Sequence, residues 1–307
     1  MNRQIDYDVL VLGGVGVDTI VRVPELKIPP GDAVVVPPVH DYVAHSGNGV
    51  ALGFHALGLR TKFADLLGDD ALGDLVRARY AKVGLDFAAL PAENGTPRSV
   101  NLVDAEGRRF SFFDGRHPAG ARIPREFYLP LLERSRHLHV AGRAFAALED
   151  ARALGVTTST DIHAWDGESE SGAKYAYEAQ YVFMSSAAAP DRIDDIMRDI
   201  VVNGRAELVV ATEGEHGSRV LTRKEPDTVR RYPIARPERE VVDSNGAGDA
   251  FSTAFMSRWF AGRPLDECMR AGAVSGAFAC GAHGTHEEQI TEEALAAALE
   301  RATFLGR

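Results

Sequence analysis

The stretch Asp243-Ser-Asn-Gly-Ala-Gly-Asp249 sets three small residues, Gly246, Ala247 and Gly248, between two carboxylates and ahead of a run in which Phe251, Phe255 and Trp259 recur on one helical stripe. A helix starting at those small residues offers unpaired backbone N–H groups and the positive end of its dipole. With no bulk in the way, a phosphate oxygen can approach them closely. Asp249, one residue further in, then holds a carboxylate beside the bound phosphate, where it can take the proton of an attacking hydroxyl. That chemistry is phosphoryl transfer over an anion hole made without lysine. The same residues also satisfy a plainer account, a glycine-rich turn in which Asp243 and Asp249 only cap the helix.

Other groups carry less. Gly14-x-Gly16 follows an apolar run as a dinucleotide-binding turn does, but Thr19 stands where the third glycine belongs, and no Walker A run is present. His137 and His139 alternate along one strand and so face one side. With no further ligand at metal spacing, they are expected to be a satisfied structural pair. Asp161-Ile-His163, with Trp165, ends a strand and reads as a capped turn. Gly272, Ala273, Gly276 and Ala277 leave room for either a flat base or a closely packed helix. Arg109, Phe112, Phe113 and Arg116 lie on or beside a hairpin, where they either contact a substrate or face solvent.

These residues need a frame. Asp8–Gly14 reads as a buried strand entering a tight turn, and short apolar runs at 137–141, 156–162, 181–185 and 208–212 alternate with helical or polar stretches. Such alternation implies a mostly parallel sheet covered on both faces. Helices are expected at 50–59 and 73–83, a late antiparallel hairpin at 218–222 and 229–234, and helices from 247 onward, broken at 281–286. Two segments interrupt the pattern: 23–43, rich in proline and valine, with strands expected near Val34–Val36, and a hairpin at 99–103 and 108–113. The expected architecture is a three-layer α/β/α domain over residues 1–307, with a small β-sheet lid from about 16–45 and 96–118.

Composition narrows the class. With 307 residues, 45% apolar and 25% charged, the chain suits a folded globular protein rather than a fibrous or disordered one. No apolar run approaches the roughly 18 residues of a membrane span, and the opening residues lack a signal-peptide pattern, so a cytoplasmic location is expected. A net charge of −10 argues against nucleic-acid and anionic-membrane partners. Cys268 and Cys280 read as ordinary small apolar residues.

The 243–249 run resembles the C-terminal signature of the ribokinase-like (PfkB) carbohydrate kinase family, Asp-Thr-x-Gly-Ala-Gly-Asp, with Ser244 in place of Thr. Gly13–Asp18 resembles the family's first strand and turn, Gly47–Gly58 its N-terminal signature and Leu67–Gly73 the following Gly-Asp-Asp-x-x-Gly. The resemblance implies an ATP-dependent sugar kinase, with Mg²⁺, a possible K⁺ near Asp243, Ser244 and the 282–285 turn, and a homodimer paired through the lid. It implies Asp249 as base and the backbone of Gly246, Ala247 and Gly248 as anion hole. Acceptor contacts fall on Asp18, Gly47, Asn48, Arg109 and Asp161, and nucleotide contacts on Thr212, Gly214, Gly217, Ser244, Gly276 and His283. Asp243 is the candidate metal ligand. Departures mark this chain: the family's Gly-Gly pair falls on Ala44-His45, its sugar-contacting Asn on Gly49, and its Asn-x-x-Glu on Ser185-Ser-Ala-Ala188. They leave a nucleoside acceptor, or a non-catalytic sugar-binding regulator of the same fold, as alternatives.

Overall fold

Along β1 (Tyr7–Leu12), Leu10 and Leu12 point to one side and Val9 and Val11 to the other, all fully buried. A strand apolar on both faces needs helices on both faces. In the computed structural model, Leu10 and Leu12 pack with α3 (Arg125–Leu132), α4 (Ala146–Ala153), α5 (Glu170–Glu178) and α6 (Ile193–Asn203). Val9 and Val11 pack with α1 (Ser46–Ala56), α2 (Ala71–Val83), α7 (Ala247–Phe260) and α8 (Leu265–Ala279). The structure describes residues 3–28, 30–118 and 120–305, so residues 1–2, 29, 119 and 306–307 of the expected domain lie outside it. No helix among the described residues is long and apolar enough to cross a membrane.

The central sheet has nine strands. From β1 the chain builds outward through β4 (Thr61–Leu67) to β5 (Asp86–Pro91). It then returns to the other side of β1 with β8 (Ser135–Val140), β9 (Thr157–Asp161), β10 (Tyr181–Ser185) and β11 (Leu208–Thr212). These are parallel, and only β12 (Ser218–Thr222) and β13 (Glu225–Tyr232) run antiparallel at one edge. The strand order therefore reverses between β1 and β8, and a crevice at such a reversal, at the carboxyl ends of the strands, is where open α/β sheets bind ligands.

A second sheet of four strands stands apart, in the order β3 (His40–Ala44), β2 (Gly16–Arg22), β6 (Arg98–Val103), β7 (Arg109–Asp114). Residues 34–36 form no strand, which corrects the expectation there. Pro24, Pro30, Pro37 and Pro38 withhold ladder donors along this segment, and Val35 is left exposed. Helix α1 starts at Ser46, earlier than its apolar periodicity predicts, because its first turn packs on the Gly13-Gly14 turn: Asn48 N donates to Gly14 O at 3.0 Å, and a Cβ on Gly47 would collide with Gly13 O. Both turn glycines are left-handed, with φ of 81° and 84°. Asp65, buried at the end of β4, accepts from Val15 N at 2.8 Å and fixes that turn, and burial pushes its carboxyl up to about 6.

Candidate active site

Four elements meet over the crevice. Helix α7 opens at Gly246, whose φ of 79° is left-handed, and the Asp243 carboxylate accepts from Asn245 N at 3.0 Å to turn the chain into the helix. A Cβ on Gly246 would press into the His286 ring, whereas one on Gly248 would meet nothing within 4 Å, so this side of the helix start is open. The sequence Gly-Ala-Gly thus gives both the close approach behind and the clear face in front. Asp249 stands in the first turn with its side chain 12% exposed.

The loop after α8 delivers the second group. Gly284, at φ 94°, packs against the Tyr42 ring of β3, and the turn sends Thr285 Oγ1 to donate to Asp18 Oδ2 at 3.0 Å. The next residue, His286, places Nε2 2.8 Å from Asp249 Oδ2. Arg79 of α2 holds this loop by donating to Glu287 O at 2.9 Å and His286 O at 3.3 Å. Asp18 on β2 also has His45 Nε2 3.5 Å from its Oδ1. His45 adopts a φ of 71°, unusual outside glycine, at the place where the resemblance expects a glycine pair. Burial holds its imidazole below the ordinary range, although Asp18 draws it the other way.

The strand ends contribute a third set. Asp161, closing β9, accepts from His163 N at 2.7 Å, and burial raises its carboxyl; His163 opposes that rise and the neighbouring Asp249 charge adds to it. His137 and His139 share Ser159 Oγ, at 2.7 and 2.9 Å, as the expected structural pair. His139 Nε2 has no hydrogen-bond partner among the described residues. Burial pushes His139 from 6.5 down to about 4, against the pull of Asp249. The folded protein therefore refuses a proton that the unfolded chain accepts, so this group's contribution to stability is full above pH 6.5 and is lost as pH falls toward 4. Asp65 works in the opposite sense over part of that window, its raised carboxyl favouring the fold as pH falls through 6. His139→Gln should flatten the acid-side loss of stability, read from urea midpoints between pH 7 and 5; an unchanged slope would show that His139 is not its source.

Several expected site residues turn out differently. Asn48 is fully buried, its amide engaged by Val43 O, His286 and the Tyr80 hydroxyl, and offers no free group to an acceptor. Gly47 and Gly276 serve packing: a Cβ on Gly276 would lie 3.2 Å from Ala247 O, so the small residues of α8 admit α7. Asp243, the expected metal ligand, has Arg22 Nη2 3.3 Å from its Oδ2, and the same nitrogen lies 3.1 Å from His283 Nδ1. Arg109 of β7 reaches Asn245 Oδ1, tying the small sheet to the loop before α7. Thr212, Gly214 and Gly217 form the turn after β11, with φ of 58° and 95° at the two glycines, and Ser244 lines a cleft of about 560 Å³ with Arg22, Val103 and Asp243. His286 and His45 were missed as site residues. The only sequence signal for His45 was its replacement of a glycine.

Comparison with known proteins decides the family. The family model described as pfkB family carbohydrate kinase matches residues 176–292. The acarbose 7(IV)-phosphotransferase of an Actinoplanes species is 48% identical over 294 residues, covering 94% of this chain and 97% of that protein. The chain belongs to the pfkB family of carbohydrate kinases. The microbiome-derived acarbose kinase Mak1 superposes with a TM-score of 0.89 at 46% identity, over 96% of this chain and 99% of that one. A nucleoside kinase of Methanothermobacter thermautotrophicus is more distant, 26% identical over 91% of each chain. Ribokinase of Thermotoga maritima, at 18% identity and a TM-score of 0.78 over 96% of this chain and all of that one, shares the fold. This kinase therefore transfers a phosphoryl group to a sugar hydroxyl, and its family implies ATP as donor. A non-catalytic regulator is set aside.

Proposed function

We propose that the acceptor is acarbose or a close analogue, and that Asp249 takes the proton of the attacking hydroxyl while the backbone N–H groups of Gly246 to Gly248 hold the transferring phosphoryl group. The observation that carries this reading is a carboxylate at an open, left-handed helix start, in a chain 48% identical to an acarbose phosphotransferase. Asp18, presented by the small sheet across the crevice, accepts from the acceptor hydroxyls, and Asp161 lines the strand-end side. The small sheet serves as the lid, with Phe110 and Phe112 of β7 exposed on its outer side for pairing with a second copy. ATP as donor supports a cytoplasmic location for the reaction.

Mg²⁺ fits this site as a companion of the nucleotide. No cluster of three or more His, Cys, Asp or Glu side chains that could hold a metal occurs among the described residues. Mg²⁺ commonly binds through substrate phosphates and waters, and there it neutralises charge on the triphosphate. A monovalent cation at Asp243 fits poorly, because the Arg22 guanidinium already faces that carboxylate and a second cation would be repelled. Replacing potassium with choline in the assay should change kcat less than about twofold; a tenfold loss would show that a cation competes successfully with Arg22.

Incubating the protein with ATP, Mg²⁺ and a panel of acarbose, ribose, fructose, adenosine and cytidine tests the assignment. The highest kcat/KM is expected with acarbose. Preference for a nucleoside, or for a simple sugar over acarbose, would overturn the acceptor class.

A further inference from the structure

Asp249 is the surface end of a hydrogen-bonded line that runs into the interior. Tyr80, Asn48 and His286 are 1%, 0% and 4% exposed. The Tyr80 hydroxyl meets Asn48 Oδ1 at 2.8 Å, Asn48 Nδ2 lies 3.0 Å from both Val43 O and His286 Nδ1, and His286 Nε2 lies 2.8 Å from Asp249 Oδ2. The direction of the line follows from its fixed members. A backbone carbonyl only accepts, so the Asn48 atom facing Val43 O is the NH₂ group, and Oδ1 takes the Tyr80 hydroxyl proton. The second amide hydrogen then points at His286 Nδ1, which must accept it. The ring proton is left on Nε2, aimed at Asp249. An imidazolium would set an N–H against an N–H 3.0 Å apart in a buried place, so the line selects the neutral ring.

We infer that His286 is a positioning residue for Asp249, locked as the neutral Nε2–H tautomer by Asn48, so that one carboxylate oxygen is held and the other, Oδ1, faces the acceptor. This inference rests on Asp249 being the base. In the transfer, the acceptor oxygen bonds to the γ-phosphorus, the bond from that phosphorus to the ADP oxygen breaks with its electron pair on ADP, and the hydroxyl proton passes to Asp249 Oδ1. The proton stays there, because His286 Nε2 already carries one and has no lone pair for it. This differs from a serine-hydrolase triad, in which the imidazole is the group that takes the proton.

The backbone around the pair is shaped for it independently. A Cβ on Gly49 would collide with His286 Nε2 and lie 2.8 Å from Asp249 Oδ2, and one on Gly246 would lie 2.6 Å from His286 Cδ2. Gly49 sits inside α1 with no left-handed φ, so alanine would ordinarily favour the helix there. Space for the His286–Asp249 contact is the requirement that glycine meets.

Nitrogen NMR of histidine-labelled protein, with His286→Gln assigning the resonance, reads the tautomer directly. A bare Nδ1 and a protonated Nε2 are expected at neutral pH, and a protonated Nδ1 overturns the inference. In kinetics, His286→Phe should lower kcat by about 10- to 100-fold with ATP binding retained, since misplacing a reacting group costs rate rather than affinity. His286→Gln, whose amide can still donate to the carboxylate, should recover most of that loss. Equal losses in both variants would overturn the donor role. If His286→Phe does not fold, Gly49→Ala displaces the same pair from the helix side, and a normal kcat in that variant would count against the inference. Asp249→Asn separates the two ideas. If it keeps activity, the base assignment fails; if it is inactive while His286→Phe is normal, only the positioning role fails.

Discussion

Asp249→Asn should lower kcat at least about a hundredfold while changing the dissociation constant for ATP less than about fivefold. A sugar hydroxyl must lose its proton as it attacks, and general-base assistance is worth roughly 10²- to 10⁴-fold. The substitution keeps the size of the side chain, and its amide oxygen can still accept from His286 Nε2, so the local geometry has no reason to change. The anchor proposed for the nucleotide, the backbone N–H groups at the α7 start, is left untouched by the variant. Single-turnover phosphorylation of the acceptor, paired with equilibrium ATP binding, measures the two quantities separately. A variant with near-normal kcat would reduce Asp249 to a helix-terminal carboxylate and leave the proton to another group.

Asp18→Ala should raise the acceptor KM about 10- to 100-fold and leave that for ATP within about threefold. A carboxylate can accept from two adjacent hydroxyls, and losing such a partner in a closed site costs about 1–3 kcal/mol. Asp18 is nearly buried and oriented by Thr285 Oγ1, while His45 stands at its other oxygen, so it is held ready before the acceptor arrives. Part of the effect runs through the loop: Thr285 precedes His286, and freeing it loosens the residue beside Asp249. A fall in kcat alongside the rise in KM is therefore expected, smaller than that of Asp249→Asn. Equal increases in the KM of acceptor and ATP would remove Asp18 from the acceptor pocket.

The sequence by itself determined the alternation of strands and helices, the parallel sheet with an antiparallel edge, the second small sheet and the helix start at Gly246. Each of these rests on local physics that neighbours in sequence supply: apolar periodicity, glycine where a left-handed turn is needed, and small residues before a helix. Local signals failed where tertiary contacts overrode them. The first turn of α1 carries Gly47 and Gly49, which speak against a helix, yet it forms because it docks on the Gly13-Gly14 turn. The valines at 34–36 read as a strand but have no neighbour to pair with between flanking prolines. Strand β5, Asp86–Pro91, has no β-branched residue and forms at the edge because β4 offers a ladder.

Only the tertiary structure decided what the site is made of. Asn48 and His286 are 238 residues apart and Arg22 and Asp243 are 221 apart, and no spacing rule joins residues at that distance. The sequence singled out Asp249 as the candidate base because the role expected of it depends on the backbone immediately around it. It assigned Asn48 to the acceptor because residue type shows what a group can bind and not which group has already bound it: the Asn48 amide is taken up by Val43 O, His286 and Tyr80. That is settled by burial, which forces polar groups brought together from distant segments to satisfy one another first.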